Sequence, residues 1–355
     1  MDRRFVAPAA YVQGPGVLDD PDAYAALSAD RALVLGGETA LSTAADGLRD
    51  GLGGADVEVR AVERGVDACT FAVVDELVER ARELAVDLVV GVGGGVALDT
   101  AKAVAERAGT ELAIVPTIAS TDAPCSAVAV VYDEDGGFDG YVHRRRNPEL
   151  VLADTATIAA APTRFLRYGM GDAFATRFEA EAVAGAWART HAGGLPTDAA
   201  LTLARRSFEN VADYGPAALA AVERDAVTPA VERIVETNTL LSGVGFESGG
   251  LAHAHAFGKG FSRAGATAPH GLVIAFSTVA GLVLEDREAA LDEAIDVARS
   301  VGIDVTLADV GVEDVEAVAA GACREDTTMG NLPFEVTTMA AADALRTADA
   351  LLADG

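Results

Sequence analysis

Three of the chain's five histidines lie between positions 253 and 270, in Leu251-Ala-His253-Ala-His255-Ala-Phe257 and in Pro269-His270-Gly271. Clustering of so scarce a residue points to a metal, since neutral imidazole is the commonest metal ligand. On a helix, residues two apart project about 200° from one another, so His253 and His255 cannot both serve one ion. One of them is a ligand candidate and the other is a core histidine. A carboxylate is available in Tyr168-Gly-Met-Gly171-Asp172-Ala-Phe-Ala-Thr176. Its Asp172 is either the third ligand or a helix N-cap. Two imidazoles and one carboxylate leave an open coordination position, the arrangement that catalytic zinc uses, and a metal held so acts as a Lewis acid on a substrate oxygen.

A second set of residues suits a phosphate. The run Gly91-Val-Gly-Gly-Gly95-Val96-Ala-Leu-Asp99-Thr-Ala-Lys102 stands where a buried strand turns into a helix. Glycines there let the backbone approach a pyrophosphate, and the free N–H groups of the helix start favour an anion. The run departs from the usual dinucleotide fingerprint, because Val96 replaces its third glycine and no acid follows at the ribose-binding distance of about 20 residues. Were the glycines only a tight turn, Asp99 would merely favour the helix N-terminus and Lys102 would be a solvated helix residue. The hydroxyl-rich stretch Pro116-Thr117-Ile-Ala-Ser120-Thr121-Asp122-Ala-Pro-Cys125-Ser126 begins at the end of the next strand. Ligands of open α/β sheets bind at the carboxyl ends of strands, so these side chains are placed to line a cofactor cleft.

The elements that carry these residues follow from apolar periodicity. Strands are expected at Ala32–Leu35, Val57–Val62, Asp87–Val92 and Leu112–Pro116, with helices at 39–52, 71–84 and from about Val96. Alternation of this kind predicts a doubly wound parallel sheet. The runs Ala127–Tyr132 and Leu150–Ala153 are expected to form a hairpin extension. From Arg164 onward helical patterns dominate, near 169–190, 197–213, 227–245, 247–258, 270–284, 287–301 and 338–353. The fold class expected is therefore α/β plus all-α. A dinucleotide-binding α/β domain covers 1–162 and a helical metal- and substrate-binding domain covers 163–355, with the boundary near Ala161–Pro162.

Composition excludes several classes. The chain carries 55 acidic against 27 basic residues, a formal charge of −28, and its only lysines are Lys102 and Lys259. Such a field repels nucleic acid and anionic membranes. The three cysteines, Cys69, Cys125 and Cys323, are far apart and form no disulfide or zinc pattern. The longest apolar stretch, Gly271–Leu284, falls short of the roughly 20 residues of a membrane span. The opening MDRRFVAPAAYVQGPG lacks the apolar core of a secretion signal, and a cytoplasmic protein is expected. Self-repulsion at −28 is best tolerated where the Debye length shrinks to about 3 Å, near 1 M salt, as in the cytosol of a halophile. Melting temperature and activity are accordingly expected to rise from about 0.1 M to molar KCl as screening sets in. A flat or falling melting temperature over that range would sink the halophile reading.

The chain resembles glycerol dehydrogenases of the iron-containing alcohol dehydrogenase superfamily. The likeness runs through RRFVAPAAYVQGPGVL, the glycine run with DTAK, PTIASTDAPCSA, GMGDAFATRFEA, ESGGLAHAHAFGKGF, PHGLVIAF and NLPFEVT. It implies a dehydroquinate synthase-like architecture, a homo-oligomer, and oxidation of a vicinal diol with hydride transfer to NAD or NADP. It puts the metal ligands on Asp172, His255 and His270, and a substrate-contacting carboxylate on Asp122. Nucleotide contacts fall on Gly94, Gly95, Val96, Asp99, Thr117, Ser120, Ser126, Val128 and Tyr132. Iron-dependent relatives carry a histidine four residues after the aspartate, where this chain has Thr176, so zinc is implied over iron. His253 stands where alanine is expected, and Val96 where relatives usually carry lysine. The aspartate that relatives set against the adenosine ribose is here Gly37, which implies weak discrimination between NAD and NADP. Two other functions remain to be weighed: a dehydroquinate synthase-like lyase, against which stands the lack of a Lys/Arg cluster for an anionic substrate, and a catalytically silent nucleotide-binding relative.

Overall fold

A computed structural model describes residues 2–134 and 136–353. The chain divides into two compact units, one of Ala7–Phe165 with Ala221–Leu240, the other of Met1–Val6 with Leu166–Ala220 and Leu241–Gly355. The strands are β1 (Ala10–Gly14), β2 (Arg31–Gly36), β3 (Glu58–Arg64), β4 (Leu88–Gly93), β5 (Glu111–Pro116), β6 (Val128–Tyr132), β7 (Phe138–His143) and β8 (Leu150–Asp154). Helices α1 (Glu38–Gly54), α2 (Phe71–Glu83), α3 (Gly95–Ala108) and α4 (Thr155–Ala159) belong to the sheet unit. Next come α5 (Thr163–Ala186) and α6 (Asp198–Val222), mostly in the helical unit, and α7 (Pro229–Glu236), which returns to the sheet unit. The series ends with α8 (Ser242–Gly249), α9 (His253–Arg263), α10 (His270–Leu284), α11 (Glu288–Val301), α12 (Leu307–Val310), α13 (Val315–Ala322) and α14 (Thr338–Ala353), all in the helical unit. Among the described residues no helix is long and apolar enough to cross a membrane.

In the sheet unit six strands lie in the order β1-β8-β5-β4-β2-β3, every neighbouring pair parallel. The sequence dictates this by the absence of alternation. Leu33 and Leu35 of β2 and Val90 and Val92 of β4 are all fully enclosed, as parallel strands covered on both faces must be. Each such side chain contributes about 1.5–3 kcal/mol on burial. Helix α2 shows the complementary pattern: Val74, Leu77, Val78 and Ala81 form its buried stripe, and the Thr70 hydroxyl caps it by accepting from the Val73 amide at 3.2 Å.

The hairpin departs from expectation. β6 pairs antiparallel with β7, whereas β8 enters the main sheet between β1 and β5. The physical reason lies in exposure: Phe138–His143 is a half-exposed strand with little apolar signal, while Leu150–Asp154 is buried throughout, the mark of a central strand. The edge strand β1 is only partly buried and gave no signal either.

In the helical unit α10 is apolar all round and buried along nearly its whole length, so it forms the centre against which α9, α11 and α14 pack. Phe174 and Phe178 of α5 meet Phe208 of α6, with ring centroids 5.0 to 6.1 Å apart. The single helix expected over 227–245 is instead α7, a π turn at Thr237–Leu241, and α8. Gly250, at φ 103°, ends α8, so the next helix starts at His253 rather than near 247.

Candidate metal and cofactor sites

Three helices of the helical unit bring Asp172, His255 and His270 together. Asp172 lies in the third turn of α5, His255 is the third residue of α9, and His270 opens α10. One ligand atom from each lies within 4.8 Å of the others. The rings of His255 and His270 are 5.7 Å apart, and His270 Nε2 stands 3.5 Å from Asp172 Oδ1. Asp172 is buried, while the side chain of His270 is 55% exposed, so one side of the cluster is open to an incoming molecule. Nitrogen, nitrogen and carboxylate oxygen with an open side fit a catalytic zinc or a ferrous ion.

The approach that makes this cluster depends on two glycines, each beside a candidate ligand. A Cβ on Gly171 would stand 2.0 Å from Gly271 O, and a Cβ on Gly271 would stand 1.8 Å from Tyr168 O. Helices α5 and α10 therefore cross backbone against backbone, and Asp172 and His270 meet because of it.

Glu179 completes the arrangement. It lies seven residues after Asp172, two turns along the same face of α5, and is fully buried. Its Oε2 is 2.6 Å from His255 Nδ1, and its Oε1 accepts from the backbone amides of Ala252 and His255 at 2.8 and 3.0 Å. Burial alone would raise the Glu179 carboxyl, but His255 outweighs it through charge and hydrogen bonding and holds the group at about 2. A carboxylate so fixed favours the His255 proton on Nδ1, which would leave Nε2 available to a metal. The sequence reading missed Glu179, although its i+7 spacing from Asp172 was a usable signal.

His253 points elsewhere. Its ring is fully buried against α10, where a Cβ on Gly281 would fall 1.9 Å from His253 Nδ1, and its Nε2 lies 3.0 Å from Glu285 Oε1. It packs as a core histidine, opposite to His255 as the helical period requires. Thr176 likewise serves the core, bonding the Ser242 hydroxyl at 2.8 Å and its own helix at Asp172 O, 3.2 Å.

Most of the candidate nucleotide residues follow the carboxyl ends of β2, β4 and β5 in the sheet unit, and Val128 and Tyr132 lie in β6. Gly37 follows β2 and caps α1; Gly94 caps α3 and Gly95 opens it. The glycines around them have distinct tasks. Gly91 lets α3 close on β4, since a Cβ there would be 2.4 Å from Ala101 Cβ, and Gly93 adopts φ 143°, which favours glycine. Val96 is 40% exposed on the first turn of α3. Thr117, Asp122 and Ser126 are buried on the segment between β5 and β6, with Ser120 partly so, and Val128 and Tyr132, at the two ends of β6, are buried and partly buried. Burial, then the nearby Asp99, pushes the Tyr132 phenol up to about 12.

Lys102 is not the solvated residue that a mere glycine turn would leave. It is fully buried, and its Nζ donates to Asp99 Oδ1 (3.1 Å), Ala123 O (2.6 Å), Ser126 Oγ (3.2 Å) and Val128 O (2.8 Å). Asp99 Oδ2 accepts from the Val130 amide at 3.1 Å. Together the pair ties α3 to the segment that carries Asp122, and Asn238 adds a tie by donating to Ala119 O at 2.9 Å. A buried ammonium is costly unless so compensated.

Comparison with known proteins agrees with this architecture. Residues 8–155 match the family described as iron-containing alcohol dehydrogenase. The chain is 43% identical to a glycerol dehydrogenase of Pseudomonas putida, covering 99% of this chain and 98% of that one. It is 41% identical to a glycolaldehyde reductase of Halobacterium salinarum, covering 97% and 96%. The crystal structure of a probable glycerol dehydrogenase from Sinorhizobium meliloti superposes with a TM-score of 0.91 at 37% identity, covering 100% of both chains. Full-length identity at this level, with the fold in common, means that the chain belongs to the iron-containing alcohol dehydrogenase family.

Proposed function

We propose that this oxidoreductase interconverts a vicinal diol and the matching α-hydroxycarbonyl compound, with glycerol as the first substrate to test. The observation that carries the reading is the cluster of Asp172, His255 and His270 backed by Glu179. Both relatives' names fit one chemistry, since glycerol oxidation and glycolaldehyde reduction act on a carbonyl or alcohol carbon beside a hydroxyl-bearing carbon. Asp172, His255 and His270 would hold a divalent ion whose Lewis acidity would lower the pKa of a substrate hydroxyl, and a bound nicotinamide cofactor would supply the redox chemistry. Zinc is the ion of choice, because Thr176 stands where a fourth, histidine ligand would favour iron.

The chain's own groups do the rest. His255 and His270 offer neutral nitrogens, Asp172 contributes negative charge, and Glu179 holds the His255 tautomer. The Lys102–Asp99 pair and Asn238 hold the segment that bears Asp122, whose carboxylate we assign to orienting a substrate hydroxyl. Asp122→Asn is expected to cut kcat/KM for the diol by about tenfold or more, the scale of a charged hydrogen bond, with little change in nicotinamide affinity. Equal loss of cofactor affinity with an unchanged substrate KM would remove that role. Metal analysis alongside a polyol panel, followed at the reduced-nicotinamide absorbance, tests the function as a whole. Net reduction of added cofactor by a diol supports it, whereas a lyase of the dehydroquinate synthase type leaves no net reduction.

A further inference from the structure

In a nucleotide-binding sheet a carboxylate near the end of an early strand accepts the hydrogen bonds of the adenosine ribose and repels a 2′-phosphate. This chain has Gly37 at that place, and the backbone does not demand it. Residue 37 sits at φ −71° and ψ 154° as the N-cap of α1, with no side-chain cap bond, a conformation open to any L residue and well suited to aspartate. What differs is the space beside it. A Cβ built on Gly37 meets one side-chain atom, Asp67 Oδ1 at 3.7 Å. Asp67 is exposed on the connection that leaves β3, the strand next to β2.

The neighbouring charges are committed elsewhere. Glu38, adjacent in sequence, turns to Arg64, whose Nη1 lies 3.3 Å from Glu38 Oε2, both side chains being largely solvated. Arg64 is aligned with Gly36 across the β2–β3 pair, and Glu38 already answers its charge. With Glu38 and Arg64 offsetting each other, Asp67 leaves the place beside residue 37 negative.

We infer that Asp67 is the specificity-determining residue for the adenosine ribose, delivering from the connection after the neighbouring strand the carboxylate that position 37 lacks. NAD is then preferred over NADP, in contrast to the weak discrimination that Gly37 alone suggests. The inference rests on the nicotinamide-dependent reading of the sheet unit. It makes Gly37 the consequence of Asp67: a second carboxylate at 37 would stand against the first, and like charges so close resist joint ionisation.

Fluorescence titration of the purified enzyme with NADH and NADPH in molar KCl tests this by binding rather than turnover. At that salt the long-range field of the acidic surface is screened, so remaining discrimination is local. Wild type is expected to prefer NADH by about tenfold or more, and Asp67→Ala to remove roughly tenfold of that preference, as loss of a charged hydrogen bond would. Gly37→Asp is expected to change little in the wild-type background but to restore the preference in Asp67→Ala. Equal wild-type affinities, an Asp67→Ala variant with the ratio intact, or a Gly37→Asp effect of the same size in both backgrounds would overturn the assignment. So would selective loss of NADPH affinity in Arg64→Ala. Failure to bind either nucleotide would overturn the cofactor reading itself, and the inference with it.

Discussion

On the proposed ligand set, with zinc as the proposed ion, Asp172→Ala, His255→Ala and His270→Ala are each expected to lose the metal and to lower diol turnover by on the order of a thousandfold, while His253→Ala keeps it. An open site has three protein ligands, so removing one leaves two, and several kcal/mol of Lewis-acid stabilisation disappear with the ion. Position 253 provides the contrast within the same helix. Its ring fills a space against Gly281 of α10 rather than facing Asp172, so truncation leaves a cavity and costs stability of about 2 kcal/mol or more without touching a ligand. Stability and metal content thus separate: His253→Ala melts earlier at full zinc, and His255→Ala is short of zinc. Glu179→Gln falls between, because the amide has one accepting oxygen where the carboxylate serves both the backbone amides and Nδ1, and it no longer carries the charge that raises the donor strength of His255; a roughly 10- to 100-fold weaker metal affinity is expected. Plasma emission analysis of dialysed variants with parallel thermal melts decides the matter. Zinc lost from His253→Ala but retained by His255→Ala would reverse the ligand assignment.

What the sequence disclosed and what it hid divide along a physical line. Periodic features were legible: the apolar runs of strands β2, β4 and β5 and the striped helix α2 stand close to where alternation or its absence put them. So were scarce residues, since five histidines in a chain of this length make a cluster conspicuous. Hidden were features set by partners distant in sequence. Lys102 resembles any helix lysine until its four acceptors, three of them more than twenty residues away, are in place. Asp67 lies in a connection with no motif, and only its distance from Gly37 gives it meaning. The second strand of the hairpin was misjudged because β7, half in solvent, carries a weaker apolar signal than β8, which belongs to another sheet. Glu179 was the one legible residue overlooked, being in phase with Asp172 on the same helix.

Gly271→Ala is expected to damage both the fold and the metal centre, although it adds a single methyl group to a residue that holds no metal. In most helix interiors that change is mildly stabilising, by about 0.5–1 kcal/mol, because alanine loses less backbone entropy. Gly185, near the end of α5, meets nothing within 4 Å and should tolerate the methyl. At Gly271 the methyl would lie 1.8 Å from Tyr168 O and 2.7 Å from Tyr168 C. Those atoms belong to a helix backbone and cannot rotate away as a side-chain tip would, so α10 must move off α5. Overpacking of this kind costs typically 1–3 kcal/mol and sometimes more. Even the lower figure involves a displacement that a metal site notices, since zinc–nitrogen and zinc–oxygen contacts tolerate deviations of only about 0.2 Å. His270 is the residue before Gly271 and Asp172 the residue after Gly171, so separating the helices separates the ligands directly. Gly171→Ala, which meets Gly271 O at 2.0 Å from the other side, should reproduce the effect. The expected result is a lower melting temperature together with weakened zinc binding in both variants, against an unchanged or higher melting temperature and full zinc in Gly185→Ala. Full zinc content in Gly271→Ala would mean that the backbone crossing of α5 and α10 does not set the distance between Asp172 and His270.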